Sequence, residues 1–137
     1  MEIRLNSCSC ETSCPKCIQH FWNQSVHSKL DRKSALALLR WVRFGEKQQE
    51  ILQNDLSSYA ELIDNILEMY DANRSVQIKG KNIIEAKANG ISREVYIYPA
   101  MEPIETEFLE KYITLPDRLF RVGFPNIGNK IIEEFNL

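Results

Sequence analysis

Cys8-Ser9-Cys10-Glu11-Thr12-Ser13-Cys14-Pro15-Lys16-Cys17 holds all four cysteines of this 137-residue chain in one C-x-C-x3-C-x2-C array. Disulfide frameworks space their cysteines widely. Four thiolates this close in sequence can instead all reach one tetrahedral ion at about 2.3 Å from each sulfur. One structural Zn2+ bound by Cys8, Cys10, Cys14 and Cys17 is therefore the first expectation, with an iron-sulfur cluster or disulfides as the alternatives. In the Cys14-Pro15-Lys16-Cys17 knuckle, Pro15 pre-sets the bend and backbone N–H groups can donate to the first sulfur. The Cys8-x-Cys10 pair must be turned together around the ion, because alternate side chains of an extended strand point apart. Four sulfurs close the coordination shell, so such a zinc would be a staple with no hydrolytic role. Its binding free energy, on the order of 10 kcal/mol, would order a loop too short to fold by its own packing.

Outward from the array, residues 18–24 read as a short helical turn. Asp31 then makes an N-cap for a helix that runs to Phe44 and stops at Gly45. At 3.6 residues per turn, Ala35, Leu38, Leu39 and Val42 share one face and Ala37, Trp41 and Phe44 another. Arg32, Lys33, Arg40, Arg43 and Lys47 are left on a single arc that Leu36 interrupts. The plain reading is a solvated strip on a buried helix; phosphate contact is the alternative, and with Lys16 and Lys29 these residues form the candidate nucleic-acid set. Residues 14–47 contain seven Lys or Arg against two acids, whereas residues 51–137 contain nine against fourteen. The formal net charge of the chain is −2, and a zinc ion with four thiolates would take it to roughly −4. Any nucleic-acid contact thus belongs to the front half.

Residues 48–54 read as helix or linker, and Ser58-Tyr59-Ala60-Glu61 has the spacing of a capping box. Leu62, Ile63, Ile66, Leu67 and Tyr70 form the apolar stripe of the helix expected to follow. From Ser75 the period changes, and three short strands are expected over 76–79, 83–88 and 94–98, broken at Gly80 and at Asn89-Gly90. Prolines punctuate the tail, where 105–112 and 129–135 read as short helices. The fold class is α+β: an N-terminal four-cysteine zinc knuckle leading into two amphipathic helices, then a small antiparallel β-meander and a short helical tail. Residues 1–47 are read as the knuckle and basic helix and 48–137 as helix plus small sheet, packed together as one compact unit. No secretory leader and no apolar run of membrane-spanning length is visible, which places the chain in the cytoplasm as an expectation.

The Cys8 to Cys17 array, an aromatic followed by Asn23-Gln24, then His27, then Leu30-Asp31-Arg32, Ala35 and Leu38-Leu39 together resemble the MrfA-type zinc-binding domain. That domain ends a set of superfamily-2 DNA helicases, including a bacterial mitomycin-repair helicase, and is similar to the C-terminal part of the DISARM anti-phage protein DrmB. The resemblance covers roughly residues 8–39. It implies that the four cysteines are zinc ligands and that Asn23, Gln24, His27 and Asp31 make local contacts around the site. Read from the residues themselves, His20 would hydrogen-bond to the ligands from outside the coordination shell and His27 would make a helix-entry contact, since four thiolates leave zinc no need of a histidine, although either could replace a cysteine as ligand or pair with a phosphate or carboxylate. The departure is large, since family members carry the domain behind a motor, whereas here Met1 stands seven residues before the first cysteine. No G-x-x-x-x-G-K-S/T loop or acidic Walker-B pair is present, so ATPase activity does not transfer. The chain is expected to be an accessory subunit, a split-off module or a fragment.

Three functions follow. The first is a non-enzymatic zinc module that docks on a helicase or helicase-like protein and helps position DNA in repair or phage defence, with Tyr96, Tyr98 and Phe108 available for a protein interface. The second is a zinc-stapled interaction protein with no nucleic-acid contact. An enzyme is the weakest: no nucleophile triad, deaminase or nuclease motif is identifiable, and Glu102, Glu105 and Glu107 near Pro103 read as a solvated turn. Neither a membrane nor a small-molecule substrate is expected.

Overall fold

Helix α3 (Gln53–Glu68) and helix α6 (Phe124–Glu134) lie against a four-stranded sheet and form the core with it. The chain is described by a computed structural model over residues 2–46 and 51–137. The expected boundary at 47/48, Lys47 and the start of the 48–54 segment fall outside the described residues. Strands β1 (Ser75–Gly80), β2 (Ile83–Ala88) and β3 (Ile91–Tyr98) pair antiparallel in sequence order, as expected from the pattern. The β2–β3 turn is Asn89-Gly90, both residues in the left-handed region (φ 51° and 72°) that this dipeptide adopts readily in tight hairpins. Period-two alternation sends Ile84, Ala86, Ala88, Val95 and Ile97 inward. They meet Ile63, Ile66 and Leu67 of α3 and Ile127, Ile131 and Phe135 at the chain's end. Tyr96 and Tyr98 alternate with Val95 and Ile97 and so face the other side of the sheet. There α4 (Thr106–Lys111) sets Phe108 4.9 Å from the Tyr96 ring. The α+β class stands as read.

A fourth strand, β4 (Ile113–Pro116), was not expected and pairs parallel to β3. Its four residues carry too little alternation to be read as a strand alone, and parallel partners need a crossover, here supplied by α4. Two helix starts also move. The Ser58 capping box is unused, because α3 begins at Gln53 and the Ser57 and Ser58 hydroxyls donate to carbonyls one turn back inside the helix. Buried Leu56 and Tyr59 extend the apolar stripe beyond the box and carry the helix with it. In α6, Pro125 sits in the first turn, where its missing N–H costs no hydrogen bond, so the helix starts at Phe124 well before the expected 129.

Helix α2 (Arg32–Phe44) has the ends read from sequence: the Asp31 carboxylate accepts from the Ser34 N–H, and Gly45 closes the helix at φ 67°. Its mounting reverses the expectation of a buried helix with a solvated basic strip. Short helix α1 (Glu2–Ser7) packs on the basic side. Glu2 lies 3.6 Å from Arg40 Nε and 3.4 Å from Arg43 Nη1, and Arg32 Nη1 donates to the Leu5 carbonyl at 2.7 Å. No residue of α2 is buried, and Leu38, Trp41, Val42 and Phe44 face outward. Among the described residues of this region, the apolar side chain that is fully buried is Leu5 of α1.

What ties this front segment to the core is Arg121 of α5 (Leu119–Val122). Its Nε and Nη2 donate to the two Asp31 carboxylate oxygens at 3.0 and 2.7 Å, while Nη1 donates to Asp117 at 3.2 Å and to the Tyr59 hydroxyl at 3.3 Å. The Asp31 side chain is 0% exposed. Arg118 adds a bond to the Lys29 carbonyl at 2.6 Å. Burial pushes the Asp31 carboxyl up, but the hydrogen bonds from Arg121 and Ser34 and the Arg121 charge outweigh it and hold the group below its ordinary value of 3.8. Because the folded value is depressed, the stabilisation is present above the ordinary value and is lost as pH falls through the folded one. Urea unfolding of Arg121→Met should show a loss of about 3 kcal/mol, since it strands a buried carboxylate; Asp31→Asn with Arg121→Met should recover part of that. Asp31→Asn alone should flatten the fall of stability below pH 4 relative to wild type.

Candidate metal centre

The four sulfurs converge. Cys8 Sγ lies 3.4 Å from Cys10 Sγ and 3.5 Å from Cys14 Sγ, and Cys10 Sγ lies 3.6 Å from Cys17 Sγ. All four ligand atoms fall within 4.8 Å of one another. A tetrahedron with 2.3 Å metal-sulfur bonds has edges of about 3.8 Å, so these sulfurs could hold one metal ion. None of the cysteines is disulfide-bonded, the sulfur separations being far beyond the ~2.05 Å of a disulfide. Cys17 is buried and the other three are half-buried.

Local chemistry explains the convergence. The Cys14–Cys17 turn closes by Cys17 N–H to the Cys14 carbonyl at 3.1 Å, and the same carbonyl accepts from Gln19 N–H at 3.1 Å. The Cys14 N–H donates to Cys17 Sγ at 3.2 Å, so the amide aims at the second sulfur of the knuckle rather than the first. Backbone and thiol donors from Cys10, then Cys14, pull the Cys8 thiol down to about 7. Burial, then hydrogen bonding with Cys8 and Cys17, pushes Cys10 up to about 12. Adjacent thiolates repel one another, and a dication at their centre would remove that conflict.

Asn23 Oδ1 accepts from the His20 N–H at 2.8 Å, and Asn23 Nδ2 donates to the Ile18 carbonyl at 2.8 Å. His27 Nε2 meets two acceptors, Asn23 Oδ1 at 2.8 Å and the His20 carbonyl at 3.0 Å, so this nitrogen carries the proton. These bonds brace the 3-10 segment Phe21–Lys29 behind the cysteines. Neither histidine belongs to the cluster of ligand atoms. Gln24 is exposed, whereas Gln19, which sequence reasoning passed over, donates to the Ser13 carbonyl at 3.1 Å and the Ser13 hydroxyl at 2.8 Å. Its place two residues after the last cysteine was the available signal.

Of the candidate nucleic-acid residues, Arg32 is committed inward. Its N–H donates to the Thr12 carbonyl at 2.7 Å and its Nη2 to the Cys10 carbonyl at 3.2 Å, which stitches the metal loop to α2. Lys33 faces Asp55 at 3.6 Å, and Arg40 and Arg43 share Glu2. Lys16 and Lys29 are exposed at the metal loop and the 3-10 segment. Glu102, Glu105 and Glu107 are exposed too.

No family model matches the chain, and no solved structure matches it. The chain is 49% identical to Druantia protein DruE of Escherichia coli (strain UMEA 4076-1) over 41 residues, which make up 30% of this chain. The match spans 2% of that relative's length. Among the described residues no helix is long and apolar enough to cross a membrane.

Purified without chelator, the chain should carry one metal ion, and Cys17→Ser should lower the metal content and the apparent affinity by orders of magnitude. Affinity should also fall as pH drops from 8 to 6, because each ligand must shed a proton to bind. Metal analysis across that series checks both.

Proposed function

We propose that this chain is a non-enzymatic zinc-binding accessory module of a helicase-like DNA-processing system, and that the system belongs to anti-phage defence rather than repair. The observation that carries the reading is the four-sulfur cluster on the loop that precedes α2, in a chain that is 49% identical to a Druantia protein over 41 residues. The all-sulfur donor set suits zinc above magnesium or calcium, and a closed shell makes it a structural ion. Zinc supplies the cross-link, while Arg32, Asp31 and Arg121 pass the loop's position to the rest of the fold. The similarity to a defence protein supports the defence branch.

A zinc-stapled interaction module without nucleic-acid contact is the second reading. It is favoured by the ion pairs that already occupy Lys33, Arg40 and Arg43. Native affinity purification of the tagged chain from its own host, without chelator, should recover a helicase-like protein in stoichiometric amount. Recovery of the chain alone, loaded with zinc, would contradict the accessory reading. Separately, if the exposed cations touch DNA, Lys33→Gln with Arg43→Gln should leave circular dichroism unchanged and reduce the log-log salt slope of DNA binding by roughly 1.8. A slope that does not move assigns the chain to the second reading.

A further inference from the structure

Both readings leave the outward face of α2 unexplained. Leu38 (43% exposed), Trp41 (57%), Val42 (72%) and Phe44 (56%) lie on it, while the core is complete without any α2 residue. Their exposed area sums to roughly 400 Å², above scattered surface hydrophobics and in the range of functional patches. We propose that this stripe is the docking site for an amphipathic helix of another protein whose apolar face is flanked by Asp or Glu. The proposal rests on the accessory-module reading and names its docking face and the chemistry of the partner.

The charge around the stripe selects that occupant. Helix α2 carries Arg32, Lys33, Arg40 and Arg43 and no acidic residue. Arg43 holds its guanidinium 5.0 Å over the Phe44 ring, so a cation stands at the stripe's edge. Its side chain is 69% exposed, and Glu2 is shared between it and Arg40. Lys33, four residues before Ala37 on the same side of the helix, is 46% exposed and pairs with Asp55 at 3.6 Å, a surface contact that an incoming carboxylate can exchange. A second copy would set these cations against their own kind, and the patch is about half of the ~800 Å² that each side of a stable dimer usually buries. Nucleic acid would find Leu38 and Val42 beside the aromatics, with neither charge nor a stacking surface to offer. A helix lying in the groove with Leu or Ile at i, i+3, i+4 and i+7 covers aliphatic and aromatic residues alike, and its flanking carboxylates meet Lys33 and Arg43.

The test uses the whole metal-loaded chain carrying Trp22→Phe, which leaves Trp41 as the sole tryptophan. Two synthetic helical peptides of about five turns are titrated against it, identical in their leucine stripe but flanked by Glu in one and by Lys in the other. Trp41 emission should shift to the blue with the Glu peptide, and the Lys peptide should bind roughly ten-fold weaker. Val42→Asp, at an exposed position, should leave circular dichroism unchanged and weaken the Glu peptide by a similar factor. Equal binding of both peptides, or no binding of either, overturns the proposal. So does self-association that Val42→Asp abolishes, which gives the stripe to a second copy, or displacement of the peptide by a single-stranded oligonucleotide, which gives it to nucleic acid. Metal content is measured on the same samples. A chain that lacks metal defeats the accessory-module reading, whereas a metal-loaded chain that ignores the peptides defeats the docking face alone.

Discussion

The Asp31 carboxylate does two jobs with one buried charge. It caps α2 through the Ser34 N–H, and it takes a two-pronged donation from Arg121, a residue 90 positions away in sequence. Removing Arg121 would leave the Asp31 carboxylate buried without its cation, which is far costlier than losing an exposed ion pair, whereas Arg121 without Asp31 would still keep Asp117. Through Arg121 the same network reaches Asp117 and Tyr59, whose ring stacks on Phe120 at 4.4 Å, so the start of α2 is registered against α3 and α5 together. The front segment adds little buried apolar surface of its own. Polar registration, with four cysteines that could hold one metal ion, therefore stands where a hydrophobic core would stand in a larger domain.

That division explains the mounting of α2. The loop that carries the cysteines, α1 and Arg32 all lie on its basic side, held there by hydrogen bonds and ion pairs around the one buried side chain of α1, Leu5. The apolar side is left facing out. A helix with a clear hydrophobic face normally turns that face to its own core; here the core is closed by α3 and α6, and the face is presented instead.

Local rules carried the sequence reading where they apply. Asp31 and Gly45 delimit α2, Asn89-Gly90 turns the β2–β3 hairpin, and the cysteine spacing brings the four sulfurs together, because in each case the determinants lie within a few residues of one another. Long-range determinants escaped it. β4 is defined only by its partner β3, α1 only by the helix it covers, and Arg121 only by a carboxylate that capping alone had already accounted for. The Ser58 box misled because buried Leu56 and Tyr59 outweigh a surface cap. The direction in which α2 faces was illegible for a simple reason: periodicity shows that a helix has an apolar side and says nothing about what lies opposite it.

On the proposed reading, a metal bound by the four cysteines holds their loop against α2 while the α+β core stands independently of it. Residue-resolved hydrogen exchange, before and after chelation, tests this most directly at the Arg32 amide, which bonds the Thr12 carbonyl inside the loop. The account predicts that chelation strips protection from Arg32 while Leu67 and Ile97 in the core keep theirs. Unchanged protection at Arg32 would contradict the metal staple, and simultaneous loss at Leu67 and Ile97 would contradict the independence of the core.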